Sequence, residues 1–292
     1  MNASGLTAKE IRQSFHAGLK EMYDADEINS IIYLLFEEFV GWSKTMLHLE
    51  PGKMLAIAES ARFSDALARL AGGCPVQYIT GKASFNELQF GVNPSVLIPR
   101  PETAELAALL VQTLRTIDLS GFSAMDLGTG SGCLAIYLKK HLPAISMHGI
   151  DISEEALVTA RSNARLHETE INFCKGDILH AAGSFAGKTL NLVVSNPPYV
   201  TMKEKHAMKQ NVRDYEPHSA LFVPDETPLL YDRSIAGYSK TCLANGGLLY
   251  LEINEAFGQE MINLLDSSGF RDVMLMKDFR GRDRFIKAGI SK

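Results

Sequence analysis

The sequence predicts an α/β protein: a doubly wound, mostly parallel seven-stranded sheet preceded by a small N-terminal all-helical domain and a linking β-hairpin. Three observations predict this. Apolar residues recur at helical spacing through about residue 73, helix and strand patterns alternate after Pro101, and the first strand of that alternation runs into a glycine-rich turn that opens a helix. The chain has 292 residues, 46% of them hydrophobic and 22% charged. At roughly 150 residues per domain that suggests about two domains, and it excludes a disordered tail or a miniprotein held by staples.

Thr7-x-x-Glu10 is a capping-box pattern, and Ile11, Phe15, Leu19 and Met22 then repeat on one helical face. A second helix runs from about Asp26 with Ile28, Ile31, Ile32, Leu35 and Phe39 forming its apolar stripe. Pro51-Gly52 punctuates before a third region from Met54 to Phe63, and Ser64 opens a short helix that Gly72-Gly73 ends. From Phe85 the period changes to two. Phe85, Glu87, Leu88, Phe90 and Val92 precede Asn93-Pro94, and Ser95 to Ile98 follow, which reads as a small hairpin. Beyond it, helices at 102–116, 131–141, 153–165, about 227–244 and 255–268 alternate with strands at 123–127, 145–150, 171–174, 190–195, 247–253, 271–277 and 283–288. Such alternation implies a parallel sheet covered on both faces. The expected domains are 1–84, helical; 85–99, the hairpin linker; and 100–292, the sheet domain.

Net charge is -5, and the helical segment carries 7 basic against 10 acidic residues, so neither part is a basic clamp for a polyanion. No apolar run approaches the roughly 18 residues of a membrane span, and Lys9, Glu10 and Arg12 stand where a signal peptide needs its apolar core. A cytoplasmic protein that touches no membrane is expected. Cys74, Cys133, Cys174 and Cys242 match neither a zinc spacing nor a disulfide framework and read as reduced, mostly buried thiols. The eight histidines form no convincing metal pair, so no metal is expected.

Gly128-Thr129-Gly130-Ser131-Gly132 joins the first sheet strand to a helix, and its alternate glycines let the backbone turn tightly and approach a bulky ligand. Asp151 ends the second strand. A carboxylate there either accepts hydrogen bonds from two ribose hydroxyls or caps the helix near Ser153; its pairing with the glycine loop favours ribose. After the third strand, Asp177 is placed to meet an adenine amino group and Ile178 to cover the ring, unless Gly176-Asp177-Ile178 is an ordinary turn.

After the fourth strand comes Asn196-Pro197-Pro198-Tyr199. Two prolines fix two φ angles and remove two N–H donors, leaving a stiff loop with outward carbonyls. A planar NH2 group fits there: the Asn196 side-chain oxygen and the Pro197 carbonyl each accept one N–H while Tyr199 stacks on the plane. Glu216 and His218 could suggest acid–base chemistry, but a His beside Pro in a loop more often packs or faces solvent.

This tetrapeptide resembles that of the class I, Rossmann-like S-adenosylmethionine-dependent methyltransferases acting on planar amino groups. Within them the chain is similar to the HemK-like family, which methylates the N5 of a glutamine in peptide chain release factors. The similarity extends over Pro75-Val76-Gln77-Tyr78-Ile79-Thr80-Gly81, Ile98-Pro99-Arg100-Pro101-Glu102-Thr103, Tyr215-Glu216-Pro217-His218-Ser219-Ala220-Leu221-Phe222 and Gly281-Arg282-Asp283-Arg284. The chain departs from the family pattern at Val223-Pro224-Asp225, where two glycines are usual, and at Asn254-Glu255, where glycine and an aromatic residue are common. Both departures fall on loops expected around the substrate.

The resemblance implies S-adenosylmethionine as methyl donor, with S-adenosylhomocysteine as product. It places Gly128, Thr129, Gly130, Ser131 and Gly132 around the donor's amino-acid part, Asp151 at the ribose, Asp177 and Ile178 at the adenine, and Asn196 close to both donor and substrate. Asn196, Pro197 and Tyr199 would be catalytic, and with Pro198 would bind the substrate, while Arg100, Glu102 and Thr103 shape the entrance. A class I release factor, its Gly-Gly-Gln loop in the site and its body docked on the helical domain, is the implied partner of a monomeric enzyme. The rivals are a DNA adenine-N6 methyltransferase, a glutamine methyltransferase of another protein such as a ribosomal protein, and a non-enzymatic docking module. A DNA enzyme must extract its base and usually carries a basic recognition region, which neither the acidic residues 1–73 nor any long insertion in 100–292 provides.

Overall fold

The computed structural model describes residues 5–183 and 189–291. The chain forms two compact units, one of residues up to Gly81 together with Gln210–Tyr215, the other of Lys82–Lys209 and the residues from Glu216 on. In the first unit lie α1 (Ala8–Leu19), α2 (Ala25–Val40), α3 (Lys44–Leu49), α4 (Ile57–Ala71) and α5 (Val76–Thr80). The capping box forms: the Glu10 N–H donates to the Thr7 hydroxyl and the Thr7 N–H to Glu10 Oε2. Ile11, Phe15 and Leu19 pack with Ile28, Ile32, Phe36 and Phe63, the Phe36 and Phe63 ring centroids lying 4.4 Å apart. Burying each such side chain contributes about 1.5–3 kcal/mol before entropy is counted.

Two expectations are corrected in this unit, and two short helices are added. α1 stops at Leu19, so Met22 lies beyond the buried stripe and is exposed. No helix starts at Ser64; its hydroxyl donates to the Ser60 carbonyl one turn back, and α4 runs unbroken from Ile57 because Glu59 satisfies the Ala56 N–H at the true start. α3 and α5, of 6 and 5 residues, are too short to show a period in the sequence. The distant Gln210–Tyr215 completes the unit, its Tyr215 hydroxyl donating to the Gly72 carbonyl at 2.8 Å.

The second unit opens with the hairpin β1 (Lys82–Phe85) and β2 (Leu88–Gly91). It turns at Asn86-Glu87, not at Asn93-Pro94, and occupies 82–91 rather than 85–99. Asn86 takes φ +49°, a conformation asparagine tolerates. Asn93 instead accepts from the Ser95 N–H and donates to the Thr159 hydroxyl, both at 2.9 Å, and its carbonyl takes the Val96 N–H at 3.1 Å, so the chain turns there without entering a strand ladder. The alternation of the following residues reflects burial of Val96 and Ile98 alone.

There follow α6 (Pro101–Leu114), β3 (Ser123–Leu127), α7 (Cys133–His141), β4 (Ser146–Asp151), α8 (Glu154–Leu166), β5 (Asn172–Lys175), β6 (Leu190–Ser195), β7 (Val200–Thr201), α9 (the Gln210–Tyr215 helix), β8 (Phe222–Val223), α10 (Leu230–Cys242), β9 (Leu243–Glu252), α11 (Gly258–Ser267), β10 (Arg271–Lys277) and β11 (Asp283–Gly289). The main sheet has seven strands in the order β10-β11-β9-β6-β3-β4-β5, and β11 runs antiparallel to both its neighbours. It is the mostly parallel, Rossmann-like sheet expected. Alternate residues of the central strands serve opposite cores: Ala124, Leu192 and Val194 pack with α6–α8, whereas Met125, Val193 and Leu249 pack with α10 and α11. These strands therefore read as continuous apolar runs. Among the described residues no helix is long and apolar enough to cross a membrane, and the four cysteines are free thiols, three of them buried.

Candidate active site

β3, β4, β5 and β6 all end on one edge of the sheet, where ligands of open α/β sheets bind. The β3 exit is tied to β4 by the Gly128 and Thr129 N–H groups, which donate to the Ile150 carbonyl at 2.9 and 2.8 Å. Buried Ser195 ties β6 to the same place through its hydroxyl, donated to the Leu127 carbonyl. Gly130 has φ +55° and nothing within 4 Å of where a Cβ would stand, so bare backbone faces an open space. Gly132 is different: φ is +80° and a Cβ would meet Ile136 and Ala160 at 3.1–3.3 Å, which makes it a packing glycine at the start of α7.

Asp151 does not cap α8; Ser153 does, its hydroxyl accepting the Ala156 N–H. The Asp151 carboxylate instead accepts from the Ser153 N–H at 2.9 Å and, across the cleft, from the Gly130 N–H at 2.8 Å. Burial raises its pKa, and those N–H groups pull it back. Behind the loop, buried Asp126 accepts the Thr129 hydroxyl at 2.7 Å and is also stabilised by the Ala135 N–H in the first turn of α7, a turn that Gly132 cannot cap with a side chain. Burial nevertheless pushes Asp126 up to about 7. Thr129 thus turns its side chain toward the strand, and the Ser131 carbonyl is taken by Asn163 at 2.8 Å.

Three cavities adjoin this edge. One of about 140 Å³ is bordered by Gly128, Gly130, Asp151, Asp177, Ile178 and Pro198. Within it the Asp177 carboxylate is engaged by the Leu179 N–H and by His180, which holds its pKa low. The second, about 150 Å³, is bordered by Arg100, Pro197, Tyr199 and Met208, and the third, about 50 Å³, by Thr103, Asp126, Thr129 and Ser131. Asn196 borders all three. A larger recess of about 700 Å³ opens at the other end of the sheet, beside the starts of β4 and β5, away from every residue above.

Asn196 donates its amide Nδ2 to the Thr103 hydroxyl at 2.8 Å, and Thr103 donates to Glu252 Oε2 at 2.6 Å. The other Glu252 oxygen accepts the Tyr199 hydroxyl at 2.9 Å. No described residue donates to the Asn196 side-chain oxygen or to the Pro197 carbonyl, so two acceptors stand unused at the junction of the cavities. Tyr199 stays protonated, because burial and the Glu252 carboxylate both raise its pKa. Its backbone carbonyl is held by Asn254, which stands where the family usually has glycine and which also bonds Glu204. The other departure is likewise structural, Asp225 accepting the Lys203 N–H at 2.9 Å.

Glu216 is no free acid: its buried carboxylate takes the Ile98 N–H at 3.0 Å and Arg100 at 2.6 Å, which leaves Arg100 as the charged wall of the second cavity. His218 packs edge-on against Phe222. Among the described residues no group of three His, Cys, Asp or Glu could hold a metal. The sequence reading gives no role to Glu252 or Asp126 and treats Asn254 only as a departure from the family pattern. The signal for Glu252 was available: a carboxylate ending the apolar run Leu249-Tyr250-Leu251 in a buried strand must have partners.

Comparison with known proteins identifies the family. A model of the PrmC N-terminal domain matches residues 10–81, and one of the methyltransferase small domain matches 103–214. A release factor glutamine methyltransferase of Bacteroides thetaiotaomicron is 41% identical over 95% of this chain and 97% of its own length. That of Flavobacterium psychrophilum is 40% identical over 96% and 98%. Among solved structures, a methyltransferase from Pyrococcus furiosus superposes with a TM-score of 0.51 at 16% identity, covering 78% of this chain and 100% of that one, a likeness of fold. Relatives this similar along almost the whole length settle membership: the chain belongs to the release factor glutamine methyltransferase family.

Proposed function

We propose that the protein transfers a methyl group from S-adenosylmethionine to the side-chain amide nitrogen of the glutamine in the Gly-Gly-Gln motif of a class I release factor. One observation carries the reading: Asn196 stands between the cavity at the glycine loop and the cavity at Tyr199, with its side-chain oxygen and the neighbouring Pro197 carbonyl unengaged. The names of the family's members supply the substrate class.

The residues present fit the donor. Gly130 offers bare backbone to open space, Asp151 offers a carboxylate held in place by two N–H groups, and Ile178 offers an apolar wall. Gly128, Thr129, Ser131 and Gly132 shape the loop, and Asp177 borders the end expected for the adenine. S-adenosylmethionine, when bound, supplies an electrophilic methyl on a sulfonium. The protein's part is then orientation. A glutamine nitrogen is a weak nucleophile because its lone pair is delocalised. Asn196 Oδ1 and the Pro197 carbonyl each accept one amide hydrogen, which aims the nitrogen at the donor cavity and draws electron density into it; Pro198 and Tyr199 wall the plane. With the donor bound, the new N–C bond would form as the S–CH3 bond breaks, leaving S-adenosylhomocysteine, and one of those two hydrogens would leave the nitrogen as a proton to solvent with or after transfer.

The helical unit is assigned to docking the release factor, and the enzyme to the cytoplasm as a monomer that needs no direct nucleic-acid contact, in keeping with its net charge of -5. Incubation with labelled donor tests the substrate: label enters the release factor, not DNA or ribosomal proteins, and robust transfer to DNA alone defeats the reading. For the donor site, Asp151→Ala weakens S-adenosylmethionine binding about 10-fold or more, the loss of a charge-assisted hydrogen bond. Calorimetry giving unchanged affinity removes Asp151 from the site.

A further inference from the structure

We infer that Thr103 and Glu252 are positioning residues that fix which way the Asn196 amide points. The inference rests on the function proposed above and goes beyond it, because Thr103 engages only the Nδ2 end of the Asn196 amide and Glu252 reaches it only through Thr103. An Asn side chain presents NH2 in one direction and oxygen in the other, and only the oxygen can grip a substrate N–H. A threonine hydroxyl has one hydrogen and can serve a neighbouring amide in either sense. Here its hydrogen is taken: it is donated to Glu252 Oε2 at 2.6 Å, in a carboxyl whose other oxygen likewise accepts, from the Tyr199 hydroxyl. Toward Asn196, Thr103 is therefore left with lone pairs, and at 2.8 Å it accepts from Nδ2. The side-chain oxygen must face the cavities.

The same carboxylate takes the Tyr199 hydroxyl at 2.9 Å, so one anchor sets two members of the tetrapeptide. Thr103 and Glu252 are only 4% and 1% exposed, which keeps water from substituting for either. Burial raises the Glu252 pKa and Glu102 adds to that, while the Thr103 and Tyr199 hydroxyls and Arg284 on β11 oppose it. Arg284 belongs to the Gly281-Arg282-Asp283-Arg284 motif, which thereby gains a use: a positive charge that favours the ionised, accepting form of Glu252.

The test combines rates with a direct view of the amide. Thr103→Val removes the hydroxyl at nearly constant volume and is expected to lower kcat about 10–100-fold, whereas Thr103→Ser stays within about threefold of wild type. In an Asn196→Ala background Thr103→Val should cost no more than about twofold, since there is no amide left to orient. NMR of 15N-asparagine-labelled enzyme reports the Asn196 NH2 pair, assigned by its loss in Asn196→Ala. Slow exchange is expected in wild type and Thr103→Ser, and fast exchange in Thr103→Val. Additive kcat losses, an unchanged NH2 signal in Thr103→Val, or loss of donor binding that Thr103→Ser does not restore would each overturn the inference. The NMR readout needs no substrate. A wild type that methylates no release factor therefore defeats the functional reading and leaves this one decided by the amide signal.

Discussion

Asn196→Ala is expected to reduce kcat about 10³-fold while S-adenosylmethionine affinity changes by no more than about threefold, the pattern of an interaction made to the reacting group. The geometry behind the split is specific. The cavity proposed for the donor is bordered by Gly128, Gly130, Asp151 and Ile178, which stand on other loops and keep their places without the Asn196 side chain. On the substrate side, removal of one of two unengaged acceptors leaves the amide nitrogen held by the Pro197 carbonyl alone, free to rotate out of line. Initial rates with a release factor, paired with calorimetry for the donor, measure both quantities. Turnover within tenfold of wild type would remove the grip from the mechanism.

The next largest effect is on stability and depends on pH. Burial pushes the Asp126 carboxyl up to about 7 in the folded protein, against about 3.9 when unfolded. Between those values the folded state keeps a proton that the unfolded state has lost, so this group makes stability fall as pH rises from about 4 to about 7, by at most about 4 kcal/mol. Below the unfolded value both states are protonated, and above the folded value both are ionised, so the dependence stops at each end. Asp126→Asn can still accept the Thr129 hydroxyl but cannot ionise. Urea unfolding from about pH 5 to about pH 8 should therefore show the variant gaining on wild type by roughly 2 kcal/mol or more. A constant difference would mean that Asp126 is ionised throughout.

Much of this was legible in the sequence because it depends on local pattern. The capping box at Thr7, the apolar runs of β3 and β6, and the glycine turn between β3 and α7 each declare themselves within a few residues. What stayed hidden depends on partners far along the chain. The hairpin was misplaced because Asn86 and Asn93 are both good turn residues, and only packing decides that Asn93 reaches Thr159. Gln210–Tyr215 joins the helical unit although it lies more than a hundred residues beyond Gly81 in chain order. Asn196 and Tyr199 were recognisable as a tetrapeptide, but their orientation comes from Glu252 on another strand and Thr103 on a helix, 93 residues before Asn196. Local pattern leaves Asp151 open between capping and ligand binding; in the fold Ser153 holds the cap and Asp151 is left to face Gly130.

The central claim is that Asn196 and Pro197 present a glutamine amide to the donor cavity. Its most direct test is peptide mass spectrometry of a class I release factor incubated with the enzyme and S-adenosylmethionine. The account predicts one added methyl, located on the side chain of the Gly-Gly-Gln glutamine, and none when Asn196→Ala replaces wild type. An unmodified glutamine after incubation with active, donor-binding enzyme would contradict it, as would a methyl found on any other residue.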